Sequence, residues 1–209
     1  KEGNITGICF CENEREEVVI PESFSKLQYL NLSDNTKLRS LTFEAALPEL
    51  WHLDFSDSAV DALKLPDGFK QLKWLDRSRN QLKKVIIEGN LPHLTYLDIS
   101  KNQVERLEIP DCGQLKYLYA NANQLTHFGI SPQAQQLEAL HLKDNKLDSL
   151  PTSLLSLNNL DALYIHGNPL SSIPQENIAE GENESSLENI RNYLRSLAQD
   201  ETKVNDEIK

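Results

Sequence analysis

The chain has 209 residues, no Met, 39% hydrophobic residues and a formal net charge of −11. That acidity repels phosphates overall and excludes non-specific nucleic-acid binding. No stretch approaches the roughly 18 apolar residues of a membrane helix, and no signal-peptide pattern is present, so no membrane association is expected. The start at Lys1 without Met and the charged end lead us to expect a segment cut from a longer protein.

Taken in chain order, one pattern recurs. A degenerate copy, Ile5-Thr-Gly-Ile8-Cys-Phe10-Cys-Glu-Asn13, comes first. Seven copies of Leu-x-x-Leu-x-apolar-x-x-Asn follow, starting at Leu27, Leu50, Leu72, Leu94, Leu115, Leu137 and Leu160. Successive starts are 22, 23, 22, 22, 21, 22 and 23 residues apart. The pattern is identified as the leucine-rich repeat, and it predicts an α/β solenoid. The expected horseshoe has a parallel concave sheet, short irregular or 3₁₀ convex segments and a C-terminal capping helix. Its divisions are residues 1–26 (degenerate repeat and cap), 27–174 (seven repeats), 175–186 (acidic loop) and 187–209 (capping helix and linker).

Each x-Leu-x-apolar-x segment predicts a short strand whose apolar residues point inward. Eight such strands, about 4.8 Å apart, make a concave face roughly 34 Å long. The ninth-position Asn stands at Asn13, Asn35, Asn80, Asn102, Asn123, Asn145 and Asn168, with Ser58 in its place once. Its amide both donates and accepts, so it can satisfy backbone groups where the strand ends. The returns are too short for long helices. Proline in Ile20-Pro21, Leu65-Pro66, Ile109-Pro110, Leu150-Pro151 and Ile173-Pro174 predicts extended or 3₁₀ backbone there. Proline placement alternates between successive returns, which hints at duplication of a two-repeat unit.

Arg77 breaks the inward pattern of Leu32, Phe55, Ile99, Ala120, Leu142 and Ile165. A buried guanidinium needs a partner, for which Asp54, Asp76 and Asp98 are candidates, or an escape to solvent. Lys64, Lys70, Lys73, Arg77, Arg79, Lys83 and Lys84 cluster in sequence, either as solvated convex loops or as a docking patch for an acidic partner. Only three cysteines occur, Cys9, Cys11 and Cys112, without the paired cysteines of extracellular caps, which points to a reducing, cytoplasmic setting. Cys9 and Cys11 share a strand face, where a bridge would be strained. They are too few to hold a metal.

The outward positions form three columns. The first runs Gly7, Tyr29, His52, Trp74, Tyr96, Tyr117, Ala139, Ala162. The second runs Cys9, Asn31, Asp54, Asp76, Asp98, Tyr119, His141, Tyr164. The third runs Cys11, Ser33, Ser56, Ser78, Ser100, Asn121, Lys143, His166. Five of the six tyrosines and three of the five histidines fall here. Aromatics with polar tips dominate binding hot spots, and the acidic run Asp54-Asp76-Asp98 favours a cationic partner. The expected partner-binding residues are Tyr29, His52, Asp54, Trp74, Asp76, Tyr96, Asp98, Tyr117, Tyr119, His141, Tyr164 and His166. The expected partner is a protein or peptide with a basic and apolar surface. Cross-strand ladder packing is a compatible alternative role for the rings. No nucleophile with an orienting base and no Gly-rich phosphate loop occurs, so no enzymatic activity or cofactor is expected in these residues.

After Pro174 the pattern stops. Ser185-x-x-Glu188 fits a capping box, followed by an apolar stripe of Leu187, Ile190, Leu194, Leu197 and Ala198. The exit Gly167-Asn-Pro-Leu170-Ser-Ser-Ile-Pro174, an acidic loop, and Glu188-Asn-Ile-Arg-Asn-Tyr-Leu-Arg-Ser-Leu197 resembles the exit from the repeats in bacterial Roco proteins. The resemblance implies a following Ras-like Roc GTPase domain, with GTP and Mg held there, and a dimerising COR domain. It also implies that the repeats bind partners, or the Roc-COR domains of the same protein, as a regulatory arm. The alternative is a stand-alone cytosolic repeat adaptor, or the substrate-recognition domain of a bacterial effector.

Overall fold

The computed structural model describes residues 5–62, 65, 67–85, 91–110, 112–179, 181 and 184–196. Eight three-residue strands form one parallel sheet: β1 (Gly7–Cys9), β3 (Tyr29–Asn31), β5 (His52–Asp54), β6 (Trp74–Asp76), β7 (Tyr96–Asp98), β9 (Tyr117–Tyr119), β11 (Ala139–His141) and β12 (Ala162–Tyr164). The register is the one the repeat predicts, with Gly7, Tyr29, His52, Trp74, Tyr96, Tyr117, Ala139 and Ala162 side by side. The middle residue of each strand from Leu30 to Leu163 is buried, while its two neighbours face out. Behind this sheet, β2 (Glu17–Ile20) pairs with β4 (Ser40–Phe43), and β8 (Arg106–Ile109) with β10 (His127–Ile130), all parallel.

Proline sets the convex backbone. Pro21, Pro151 and Pro174, each with extended ψ, stand directly before the 3₁₀ turns Glu22–Phe24, Thr152–Ser156 and Gln175–Asn177. Proline lacks the N–H that a helical first turn leaves unused, so it starts these turns without penalty. Pro110 directly follows β8, where the missing donor ends the ladder.

The Asn side chains tie successive repeats together. Asn102 Nδ2 donates to Ile99 O of its own turn and to Arg77 O of the preceding one, both at 3.0 Å, and its Oδ1 accepts the Leu82 N–H at 3.0 Å. Asn80, Asn123, Asn145 and Asn168 repeat the same three bonds, and Asn35 does so with the Asn13 N–H as its donor. Asn13, in the first repeat, accepts from Arg15 N instead. Ser58 is too short to span the gap, and its hydroxyl donates to Ser56 O within its own turn. The residue before each of these positions is left-handed: Glu12, Asp34, Asp57, Arg79, Lys101, Ala122 and Asp144 have φ of 50–59°, and Gly167 has 73°. That turn directs the N–H of Arg79, Lys101 and Asp144 onto the next repeat, at Ser100 O, Asn121 O and His166 O.

Arg77 corrects the sequence expectation. It is 2% exposed, and its Nε and Nη2 have no hydrogen-bond partner. The expected partners Asp54, Asp76 and Asp98 cannot reach it, because strand alternation puts their side chains on the opposite face of the sheet. Its guanidinium carbon lies 5.9 Å from the centre of the Phe55 ring, within cation–π range. Burial pushes its pKa down to about 10, which still leaves it charged at neutral pH. Arg77 is therefore no part of a surface patch. Arg79 pairs with Asp57 at 3.6 Å, and Lys64 lies outside the described residues.

The last repeat is closed by residues 184–196. Leu163 N donates to Ser185 Oγ at 3.0 Å and Ser186 N donates to Leu163 O at 2.8 Å, so this segment satisfies the open edge of β12. A helix over residues 187–196 then buries Leu187, Ile190 and Leu194. Arg191 Nη2 donates to Leu157 O at 2.8 Å, and the Tyr193 hydroxyl donates to Ser172 O. The expected Ser185–Glu188 box is not formed. Ser185 Oγ accepts from Leu187 N instead, and Ser186 O takes the first helical bond from Ile190 N. Leu197 and Ala198 lie outside the described residues.

If the amide bridge couples the repeats, Asn102→Ala should cost on the order of 1–3 kcal/mol, because three buried backbone groups lose partners. Ser58→Ala should cost at most about 0.5 kcal/mol, since it spans no gap. Urea denaturation of the two variants beside the parent chain checks this, and equal losses would contradict it.

Candidate recognition surface on the concave sheet

The strand register places a run of neighbouring rings along the concave face, stacked except where Tyr96 meets Tyr119 at a tilt of 40°. Tyr29 and His52 stack at 4.4 Å between ring centres, His52 and Trp74 at 5.8 Å, and Trp74 and Tyr96 at 3.5 Å with only 4° between planes. The run continues through Tyr119 at 5.4 Å, His141 at 4.5 Å and Tyr164 at 4.3 Å. The stack therefore changes column between β7 and β9, where the second column turns from Asp98 to Tyr119 and the first ends in Ala139 and Ala162. Ladder packing, the alternative role considered for these rings, is thus present in the fold, at about 0.5–1.5 kcal/mol per aromatic pair beyond area burial.

Two expected residues stand apart from the stack. Tyr117 is exposed, and its hydroxyl donates to Glu138 Oε2 at 2.7 Å. His166, in the third column, has a buried Nδ1 without a hydrogen-bond partner. One residue was missed. Trp51 is 43% exposed, with its ring 5.9 Å from Tyr29 and 5.4 Å from His52. It precedes β5, at a position that the strand period does not mark as part of the face. The available signal was its type, because other repeats carry Gln28, Lys73, Thr95, Lys116, Glu138 and Asp161 there.

The acidic column has a structural duty that composition does not reveal. Asp54, Asp76 and Asp98 each accept, through Oδ1, the N–H of the serine two residues on, Ser56, Ser78 and Ser100, at 2.7–2.9 Å. Asn31 does the same for Ser33 at 2.8 Å. A neutral amide therefore performs this turn as well as a carboxylate does. The three negative charges are surplus to the fold, and they stand on adjacent strands, half-buried.

That burial shows in the titration. Desolvation pushes Asp76 up to about 6, opposed by the bonds from Ser78 and reinforced by Asp98 and Asp54. Asp98 is raised by burial against the pull of Ser100 and Tyr96. Burial, then the neighbouring carboxylates, raises Tyr96. Burial lowers His52, and it lowers His141 to about 4 with help from Lys143, so both rings are neutral at pH 7. The imidazole Nε2 of His52 and the indole N–H of Trp74 lie buried without hydrogen-bond partners.

Two shallow grooves lie on the solenoid's edges, one beside Lys37, Arg39 and Asp61, the other beside Lys70, Gln71 and His93. Neither is on the concave sheet. Among the described residues, no three His, Cys, Asp or Glu are grouped to hold a metal, and no helix is long and apolar enough to cross a membrane.

No family model matches the chain. It is 34% identical over 202 residues, 96% of its length, to a protein named Roc-COR-CHAT protease from an unknown prokaryotic organism. The chain is a leucine-rich repeat domain similar over nearly its whole length to part of that Roco-type relative. It spans 19% of the relative's length. A Roc-COR-CHAT protease from Runella zeae is 31% identical over 80 residues, 38% of the domain and 9% of the relative. Among solved structures, a leucine-rich repeat protein of Leptospira interrogans superposes with a TM-score of 0.64 at 22% identity, over 85% of the domain and 45% of that chain.

The raised Asp76 pKa makes a pH prediction. Its folded pKa exceeds the ordinary unfolded value of about 3.9, so the folded state binds the proton more tightly. Asp76 therefore contributes stability that is fully present below about pH 4 and is lost as pH rises through about 6. His141 opposes this, because its lowered pKa gives stability that is lost as pH falls from about 6.5 toward 4. The difference between the parent chain and Asp76→Asn isolates the carboxyl. At pH 7 the variant should melt higher, and the gap should shrink as pH falls to 5. A gap that is constant with pH would contradict the burial of this charge.

Proposed function

We propose that this domain is the partner-binding, regulatory arm of a cytoplasmic bacterial Roco GTPase, and that its concave face holds a basic, partly apolar polypeptide surface. The observation that carries this reading is the column Asp54–Asp76–Asp98. These charges are half-buried and unnecessary to the turns they cap, and they run beside a rigid stack of rings. A docked Arg or Lys would supply the counter-charge that the half-buried Asp76 carboxylate lacks and would add to what Arg79 lends Asp98, and guanidinium planes stack well on Trp and Tyr. The rings are already held by one another, so little side-chain entropy remains to be lost on binding.

The partner we favour is the Roc-COR part of the same protein. The likeness to a Roc-COR-CHAT protease runs over nearly the whole domain, including the exit helix, which fits this plan better than a free adaptor or an effector. In a parent of that design, the nucleotide and Mg would be held by the Roc domain. The repeats would dock on or leave Roc-COR according to nucleotide state, and so govern what the protein engages.

The test replaces Asp54, Asp76 and Asp98 by Asn, the residue that already caps the equivalent turn at Asn31. Binding to the Roc-COR segment of the 34%-identical relative is then measured by calorimetry. The triple variant should remain folded and bind at least about tenfold more weakly, equivalent to about 1.4 kcal/mol. Unchanged affinity, with its salt dependence intact, would remove the acidic column from the interface.

A further inference from the structure

We propose that Cys9 and Cys11 form a modification site, closing to a reversible disulfide by exchange with a low-molecular-weight disulfide such as oxidised glutathione. The two side chains leave β1 and its continuation on the same face, and their Sγ atoms are 2.9 Å apart. Closing that gap to a bond of about 2.05 Å takes a small rotation about the side-chain torsions. A bridge here would be strained but possible. Two extended residues span at most about 7 Å, at the upper edge of what a disulfide bridges. Beyond Cys11 the chain leaves extension at once, with Glu12 at φ 52°. Among the described residues, β1 is paired on one side only, by β3, so it can adjust. Strain makes the bond labile, and labile disulfides are the ones that open and close under changing redox conditions.

The two thiols have different environments. Cys9 is exposed. Cys11 is half-buried, its Sγ donating to Asn31 Oδ1 at 3.4 Å and accepting from Ser33 Oγ at 3.7 Å. Exposure makes Cys9 the entry thiol, while burial, then the contact with Cys9, raises the Cys11 pKa. The Cys9 thiolate attacks one sulfur of oxidised glutathione, forming a mixed disulfide and expelling one glutathione thiolate, which takes up the proton Cys9 gave away. Cys11 loses its proton and attacks the Cys9 sulfur, and the second glutathione leaves as the thiol. Two protein thiols are oxidised and one glutathione disulfide is reduced to two thiols. Cys112 is buried in the core, away from small disulfides. Because Cys9 stands in the same column as Asn31 and Asp54, the bridge forms at the first-repeat end of the concave face.

The chain is equilibrated in glutathione buffers of increasing oxidised fraction, quenched with acid, alkylated with N-ethylmaleimide and weighed intact, with peptide mapping. The expected product is lighter by two hydrogens, has Cys9 and Cys11 blocked to alkylation, and reverts on adding reduced glutathione. Cys11→Ser should instead trap glutathione on Cys9. A parent chain that stays reduced in every buffer, keeps a glutathione adduct on Cys9, or forms intermolecular dimers would overturn the proposal.

Discussion

The side-chain amide at the end of each strand is the constraint on which the rest depends. A parallel sheet of three-residue strands has few ladder bonds, and each tight turn leaves carbonyls and N–H groups pointing into an apolar interior. In six of the turns one Asn answers three of them at once, two carbonyls and one N–H, from two different repeats. The backbone groups would otherwise be buried unsatisfied. The amide bridge therefore fixes both the closing of a turn and its register on its neighbour. Register decides which side chains become neighbours on the outer face, so the ring stack and the acidic column both follow from it.

Once the register is set, that face carries two kinds of order. The rings stabilise one another, and their contact buries indole and imidazole nitrogens without partners, which costs stability. The carboxylates are held by serine N–H groups, and the one cation acting on them, Arg79 on Asp98, does not offset their burial. A solenoid needs neither feature to stand, since Asn31 caps its turn without charge and Ala139 and Ala162 complete the first column without rings. Rigidity from stacking, beside incompletely compensated negative charge, is the arrangement expected of a surface prepared for a cationic partner.

Much of this was legible in the residues. The period of 21–23 gave eight strands, their register, the proline-set convex turns and the Asn bridges, because each rests on local chemistry repeated many times. Facts that depend on side-chain direction in three dimensions were not legible. Arg77 was expected to reach a partner, with Asp54, Asp76 and Asp98 as candidates, or to escape to solvent, yet it does neither. Tyr117 looked like the next ring of the ladder, yet Glu138 draws it aside and Tyr119 takes its place. Trp51 escaped notice because it lies outside the strand, and the duty of the aspartates toward Ser56, Ser78 and Ser100 was hidden behind their charge. Cys9 and Cys11 show the same limit, since spacing gives a shared face but not a separation.

The most direct measurement is a carboxyl-carbon NMR titration of Asp76 and Asp98 in the free domain and again with a saturating basic partner. A half-buried, uncompensated column predicts that Asp76 loses its proton near pH 6 when free. It also predicts that both midpoints move down when cations dock. Midpoints in the ordinary carboxylate range near 4, unmoved by the partner, would show a solvated acidic surface and contradict the recognition role of this face.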